Sequence, residues 1–174
     1  MACSLTGSQP LDCLDGIGGI KEIKIKLHPG FAEIDANFTI SSGSVTAIAS
    51  GSRSLWYTWN LGQQNASASF NPTTNRDAGT TFWTHEFKMM PNKSSARLSY
   101  EIGQIAKGRV LVAVRDMNDR YILLGLKSGL SLTAGTATTG VNRGDKNGYD
   151  ITLSGQEDLP EQDITAAIWL TLVT

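Results

Sequence analysis

Two cysteines, two histidines and several paired carboxylates are the residues of this 174-residue chain that could carry chemistry. Cys3 and Cys13 stand ten positions apart, a spacing compatible with a disulfide, with a metal held with outside help, or with two reduced thiols. A zinc site would need His28 and His85 to converge on them, and no closely spaced ligand pair supports that geometry. Reduced thiols in a cytoplasmic setting are the expectation. Serines, histidines and carboxylates abound, but there is no nucleophile elbow and nothing sets a serine beside His28 or His85. His85-Glu86 lacks the second histidine of a helical zinc motif and falls in a strand pattern, where ligand spacing would differ.

The loops carry weaker signals. Residues 135–140 space their glycines like a phosphate loop, yet Val141 and Asn142 stand where Lys and Ser or Thr are required. Asp145, Asn147 and Gly148 resemble part of a calcium loop without its closing glutamate, and turn formation accounts for the same residue types. Glu157 with Asp158, and Glu161 with Asp163, flank Pro160 and read as a surface acidic loop. Sequons at Asn37, Asn65 and Asn92 are of a kind that polar loops produce by chance. No catalytic residue, cofactor or metal ligand is assigned, and the chain is not expected to be an enzyme.

Composition narrows the class further. The formal net charge is -1, with 18% charged and 40% hydrophobic residues, the balance of an ordinary globular chain. A general nucleic-acid binder needs a surplus of Lys and Arg that is missing here. Residues 1–15 have neither a basic start nor a signal-length apolar run, and no later segment approaches the ~20 apolar residues of a membrane span. A soluble protein without an export signal is expected.

The elements that must position these residues are mostly strands. Residues 1–15 are polar and contain Pro10, and read as an arm; residues 16–174 read as one domain. In 20–27, Ile23, Ile25 and Leu27 alternate with Lys24 and Lys26, predicting a strand with a lysine-bearing wet face. Strands are also predicted over 31–40, 45–49 and 55–61, the last with Trp56, Tyr57 and Trp59 offering aromatics to both sides. Residues 63–80, rich in Asn, Ser and Thr, read as a long loop. Over 81–90, Trp83, His85, Phe87 and Met89 fall on one side of a strand. The period then changes: Leu98, Ile102 and Ile105 predict an amphipathic helix over 93–107, capped by Asn92, with all three residues packed inward.

Residues 109–115 and 120–126 are apolar on both faces and joined by a short turn, predicting a hairpin covered on each side. The helix is assigned to one face and a second sheet to the other. A short strand at 130–132, a loop over 134–148 and strands at 148–155 and 164–172 complete the reading. The fold class is mainly β, a sandwich or barrel of two packed antiparallel sheets with one flanking helix.

The opening Ala2-Cys3-Ser4-Leu5-Thr6, with Leu11-Asp12-Cys13 and Gly18-Gly19-Ile20-Lys21-Glu22-Ile23, resembles the start of a family of virion structural proteins from phages of Bacteroidota. The run VRDMNDRYILLGLKSGLSLTAGTATTGVNRGDKNGYDITLSGQE, residues 114–157, is similar to the same family. The expected sandwich with one helix, a long loop and an arm also resembles the tail-tube fold of long-tailed phages. That resemblance implies six copies in a ring, inner sheets joined into a continuous barrel, and rings stacked into a conduit for DNA. It implies identical subunits as partners, with tape-measure and terminator proteins beside them, DNA passing non-specifically, and a place in the virion tail after assembly in the bacterial cytoplasm. Cys3, Leu5, Trp56, Trp59, Phe70, Arg76, Arg143 and Asp145 are the candidate subunit contacts. A head-decoration or neck protein and a small β-sandwich binding module are the alternatives.

Overall fold

Alternating apolar side chains build eleven strands, and a computed structural model describes residues 16–62 and 64–173. In chain order they are β1 (Ile20–Leu27), β2 (Phe38–Ser41), β3 (Ser44–Ile48), β4 (Tyr57–Trp59), β5 (Ala66–Asn75), β6 (Thr80–Met89), β7 (Val110–Asp116), β8 (Tyr121–Leu124), β9 (Ser131–Thr138), β10 (Gly148–Glu157) and β11 (Gln162–Ile164). Three helices join them: α1 (Phe31–Asn37), α2 (Ala96–Lys107) and α3 (Ala166–Thr171). One sheet has seven strands in the order β2-β3-β11-β8-β7-β1-β4, the other four in the order β5-β6-β10-β9. The fold is thus mainly β, with two sheets. Every pairing is antiparallel except β11 with β3, which is parallel.

The central strands explain the layering. In β7 every residue from Val110 to Val114 is buried, so the strand presents apolar side chains to both faces. On one face Val110, Val112 and Val114 join Ile23 and Ile25, and meet Phe87, Met89, Ile151 and Leu153 of the four-stranded sheet. On the other, Leu111, Ala113 and Leu123 pack under Ile34 of α1 and Ile168 and Trp169 of α3. Each such fully buried side chain contributes roughly 1.5–3 kcal/mol.

Sequence and structure differ over what covers that second face. Residues 31–40 form a helix and then a strand because Phe31, Ile34 and Phe38 are spaced by three and four, and Ile34 turns fully inward. Residues 164–172 were expected to be one strand; instead Ile164, Ile168 and Leu172 recur every fourth residue, and α3 begins where the Thr165 hydroxyl accepts the Ile168 N–H at 3.3 Å. α1 and α3 therefore cover the outer face that had been assigned to the 93–107 helix. α2 starts later than predicted, because Ser95, not Asn92, accepts the Leu98 N–H at 3.2 Å. It packs at the mouth of the sandwich, where Ile105 is buried but Leu98 and Ile102 are half-buried.

The helix cover also changes the role of the β1 lysines, which do not form a wet face. Lys24 Nζ donates to the carbonyls of Trp169 at 2.9 Å and Leu172 at 2.7 Å, and lies 4.7 Å from the Trp169 ring centre. A cation there satisfies free carbonyls at the end of α3 and opposes the negative end of its dipole. Lys26 is buried and donates to the Ser52 carbonyl at 2.9 Å. Burial lowers the pKa of both amines.

Candidate functional site

Within the two stretches that read as loops, 63–80 and 134–148, residues 66–75 and 134–138 belong to strands, and these form the edges of the four-stranded sheet. β5 pairs with β6 through ten positions, from Ala66↔Met89 to Asn75↔Thr80. Its alternation uses small residues: Ala66, Ala68 and Phe70 face the core, Ser67, Ser69 and Asn71 face away. β9 runs from Ser131 to Thr138, leaving a loop of residues 139–147. Beyond Phe70 the β5–β6 hairpin extends past the sandwich, exposed from Asn71 to Thr81.

The outward face of this sheet is assembled in three cross-strand rows. Ser67, Lys88 and Thr152 form one, Ser69, Glu86 and Ser154 the next, and Asn71, Thr84 and Gln156 the third. Hydroxyls and amides dominate, and the two charges neutralise each other, with Lys88 Nζ 2.8 Å from Glu86 Oε1. At the margin Asp150 is paired with Lys146. Both edge strands are free of charged residues: β5 reads ASASFNPTTN and β9 reads SLTAGTAT. Pro72 lies on β5, where an edge tolerates a residue without an N–H.

Three antiparallel steps separate β5 from β9, so the two edges run in opposite directions. A rotation that sets a second copy beside the first therefore brings β9 against β5 in antiparallel register, and can do so again at the next copy. Long uncharged edges attract strand pairing, and natural monomers blunt them with charge or cover. Here the geometry permits a repeated head-to-tail contact.

The remaining candidates distribute differently. Trp56 is fully buried, its indole Nε1 donating to the Ser52 carbonyl at 3.1 Å, and belongs to the helix-side core rather than to a subunit contact. Phe70 is half-buried between the sheets, edge-on to His85 at 5.4 Å. Trp59 is half-buried on edge strand β4, beside a groove of about 840 Å³ between β4 and α2. Arg76 is exposed at the hairpin tip, and Arg143 is exposed in the 139–147 loop. Asp145 in the same loop accepts the N–H groups of Val141 at 2.9 Å and Asn142 at 2.7 Å through Oδ2, which holds its carboxyl below the usual range. The loop thus uses this carboxylate on itself. Cys3, Leu5 and Cys13 lie outside the described residues.

Two polar groups that the sequence placed on the surface or left without a role are buried. Glu157 closes β10 and is 2% exposed. Its Oε2 accepts the Lys127 N–H at 2.8 Å, and its Oε1 accepts those of Ser128 at 2.9 Å and Gly129 at 3.2 Å. This latch ties the 127–129 turn to the other sheet, and Gly155 permits the approach, since a Cβ there would lie 2.4 Å from the Gly129 carbonyl oxygen. Burial pushes the Glu157 pKa up, against the three N–H donors. His85 is also 2% exposed, and neither ring nitrogen has a hydrogen-bond partner among the described residues. Burial lowers its pKa, opposed by the Glu161 charge.

Among the described residues no three His, Cys, Asp or Glu side chains gather as metal ligands. His28 lies elsewhere, its Nδ1 accepting the Gly30 N–H at 3.0 Å and its Nε2 3.3 Å from the Leu126 carbonyl. No described helix is long and apolar enough to cross a membrane. Searches against known protein families, curated proteins and solved structures find no match to this chain.

Proposed function

We propose that this chain is a structural subunit that assembles with identical copies into a phage tail tube, as its family resemblance implies. The observation that carries this reading is the four-stranded sheet, with one face in the core, a polar face outside whose charges are paired, and two long uncharged edges running in opposite directions. Pairing β9 of one copy with β5 of the next joins the sheets into one wall, and cyclic symmetry closes it without leaving a free edge.

Such a barrel would turn the Ser, Thr, Asn and Gln rows toward its lumen. DNA slides best past a surface that offers hydrogen bonds but few fixed cations, because phosphate pairing holds the backbone. The mutual neutralisation of Glu86 and Lys88 suits that surface. The resemblance supplies the number of copies, six, together with tape-measure and terminator proteins as neighbours and the virion tail as the location.

Negative-stain microscopy of the purified full chain tests the reading. Rings or tubes with a central channel are expected. A protein that stays monomeric at high concentration would overturn it.

A further inference from the structure

A proline in β5 and a bulge in β9 restrict how the two open edges can meet. β5 runs in unbroken register along β6, and Pro72 sits within that ladder opposite Trp83. A residue without an N–H leaves such a ladder intact only where its nitrogen faces away from the partner strand. Backbone groups alternate sides along a strand, so Ala66, Ala68 and Phe70 turn their N–H and C=O to the open edge, and Pro72 turns a carbonyl alone. In β9 the register slips beside Thr152↔Ala134, and the Thr133 hydroxyl donates to the Thr152 carbonyl at 3.2 Å. That carbonyl therefore points at β9, Ala134 pairs back toward β10, and Gly135 and Ala137 turn their backbone groups to the other open edge. Each edge carries one regular run of donors and acceptors, ended by one defect.

Strands that pair set side chains of the same face opposite one another. Ala68 and Phe70 face the core from β5, and Gly135 and Ala137 do so from β9, beside Ile151 and Tyr149. We propose that β9 of one copy pairs with β5 of the next in the register Ala137↔Ala68 and Gly135↔Phe70, so that the bulge at Thr133 falls on Pro72. This rests on the tube reading and names its lateral joint residue by residue. The carbonyl-only position then meets the stretch that is already out of register, and both defects share one place. The paired stretch ends at Asn71, where the β5–β6 hairpin leaves the sandwich. Gly135, without a side chain, leaves room for the Phe70 ring to cover it.

The same register closes a barrel. The row Ser67, Lys88, Thr152, Ala134 of one copy runs on to Asn71 of the next, four residues further along β5. An offset of four residues over four strands makes the shear equal to the strand number for any number of copies, the ratio that tilts strands by about 36°. Slipping by two residues one way halves the shear and flattens the tilt to about 19°. Slipping the other way sets Gly135 against Pro72, which has no N–H to give it.

Disulfide mapping in the full chain tests the register. In a Cys3→Ser, Cys13→Ser background, one variant carries Ser69→Cys with Thr136→Cys and a second carries Asn71→Cys with Ala134→Cys, all at exposed positions. In the proposed register these pairs face each other without exchanging hydrogen bonds, with Cα atoms about 4.5 Å apart, within disulfide reach. Inside one copy the same positions are three strand spacings apart, about 14 Å, and cannot link. Ser69→Cys with Ala134→Cys, and Ser69→Cys with Thr138→Cys, report the two slipped registers. After mild oxidation, a series of linked chains is expected on a non-reducing gel from both facing pairs, at a yield about tenfold above the slipped pairs, whose geometry is poorer. Rings that link only through a slipped pair, or not at all, would overturn the register and leave the tube reading standing. Linked chains from the facing pairs in a protein that forms no rings would support the register and sink the tube. Neither rings nor links would overturn both.

Discussion

At the scale of single residues, the buried polar groups define what the core tolerates. Glu157 is held by three backbone N–H groups and so has a stated task, fixing the 127–129 turn. His85 has none: its ring is buried and its nitrogens make no hydrogen bond among the described residues. Burial depresses its pKa, so the unfolded chain takes up a proton near the ordinary value of about 6.5 while the folded chain still excludes it. The contribution of His85 to stability is therefore present above about pH 6.5 and is lost as pH falls from there through the lower folded value, at a rate of at most about 1.4 kcal/mol per pH unit. Thermal melts of the wild type between pH 7.5 and 5 should show this decline, and His85→Leu should flatten it while melting no lower at pH 7.5. An unchanged pH profile in the variant would mean that His85 is not the titrating group.

At the scale of elements, α2 separates burial from mere amphipathic pattern. Ile105 is 5% exposed and reaches the core between the sheets, so Ile105→Ala should cost about 2–5 kcal/mol. Leu98 occupies the same helical stripe but faces the open groove, and Leu98→Ala should cost under about 1 kcal/mol, because little packed surface is lost. Denaturant midpoints of the two variants give the comparison; equal losses would contradict the open groove. The period of Leu98, Ile102 and Ile105 identified the helix from sequence, and the doubly apolar 109–115 and 120–126 segments identified the central hairpin. Period failed in two circumstances. In 31–40 and 164–172, helical spacing coexisted with alternation, and tertiary cover decided for helices over β7 and β8. In 66–75 and 134–138 the alternation is written largely in Ala, Ser, Thr and Gly, whose small difference in polarity hides the strand. The Glu157 latch was illegible for another reason, since its partners are backbone groups 28 to 30 positions away.

At the scale of the whole molecule, the proposed assembly places its demands on the same small-residue strands. β5 and β9 lack the lysines with which natural sheets discourage edge pairing. Asn71 on β5 and Ala134 on β9 are exposed, and the residues opposite them, Thr84 and Thr152, are uncharged. The double variant Asn71→Lys with Ala134→Lys introduces a cation on each edge without an internal partner across the strand pair. Exposed substitutions of this kind change stability by about 0.5 kcal/mol or less. Between copies, however, each lysine would carry a charge into the paired edge, where neither β5 nor β9 offers an anion to meet it. The variant should melt within a few degrees of the wild type yet elute as a monomer in size-exclusion chromatography where the wild type elutes as an oligomer. Raising the salt concentration should restore part of the assembly, because screening weakens repulsion between exposed charges. A variant that assembles as readily as the wild type would place the subunit contact elsewhere than on β5 and β9, even if rings are seen. A variant that loses assembly only together with its melting transition would show that the edges serve the fold rather than the contact.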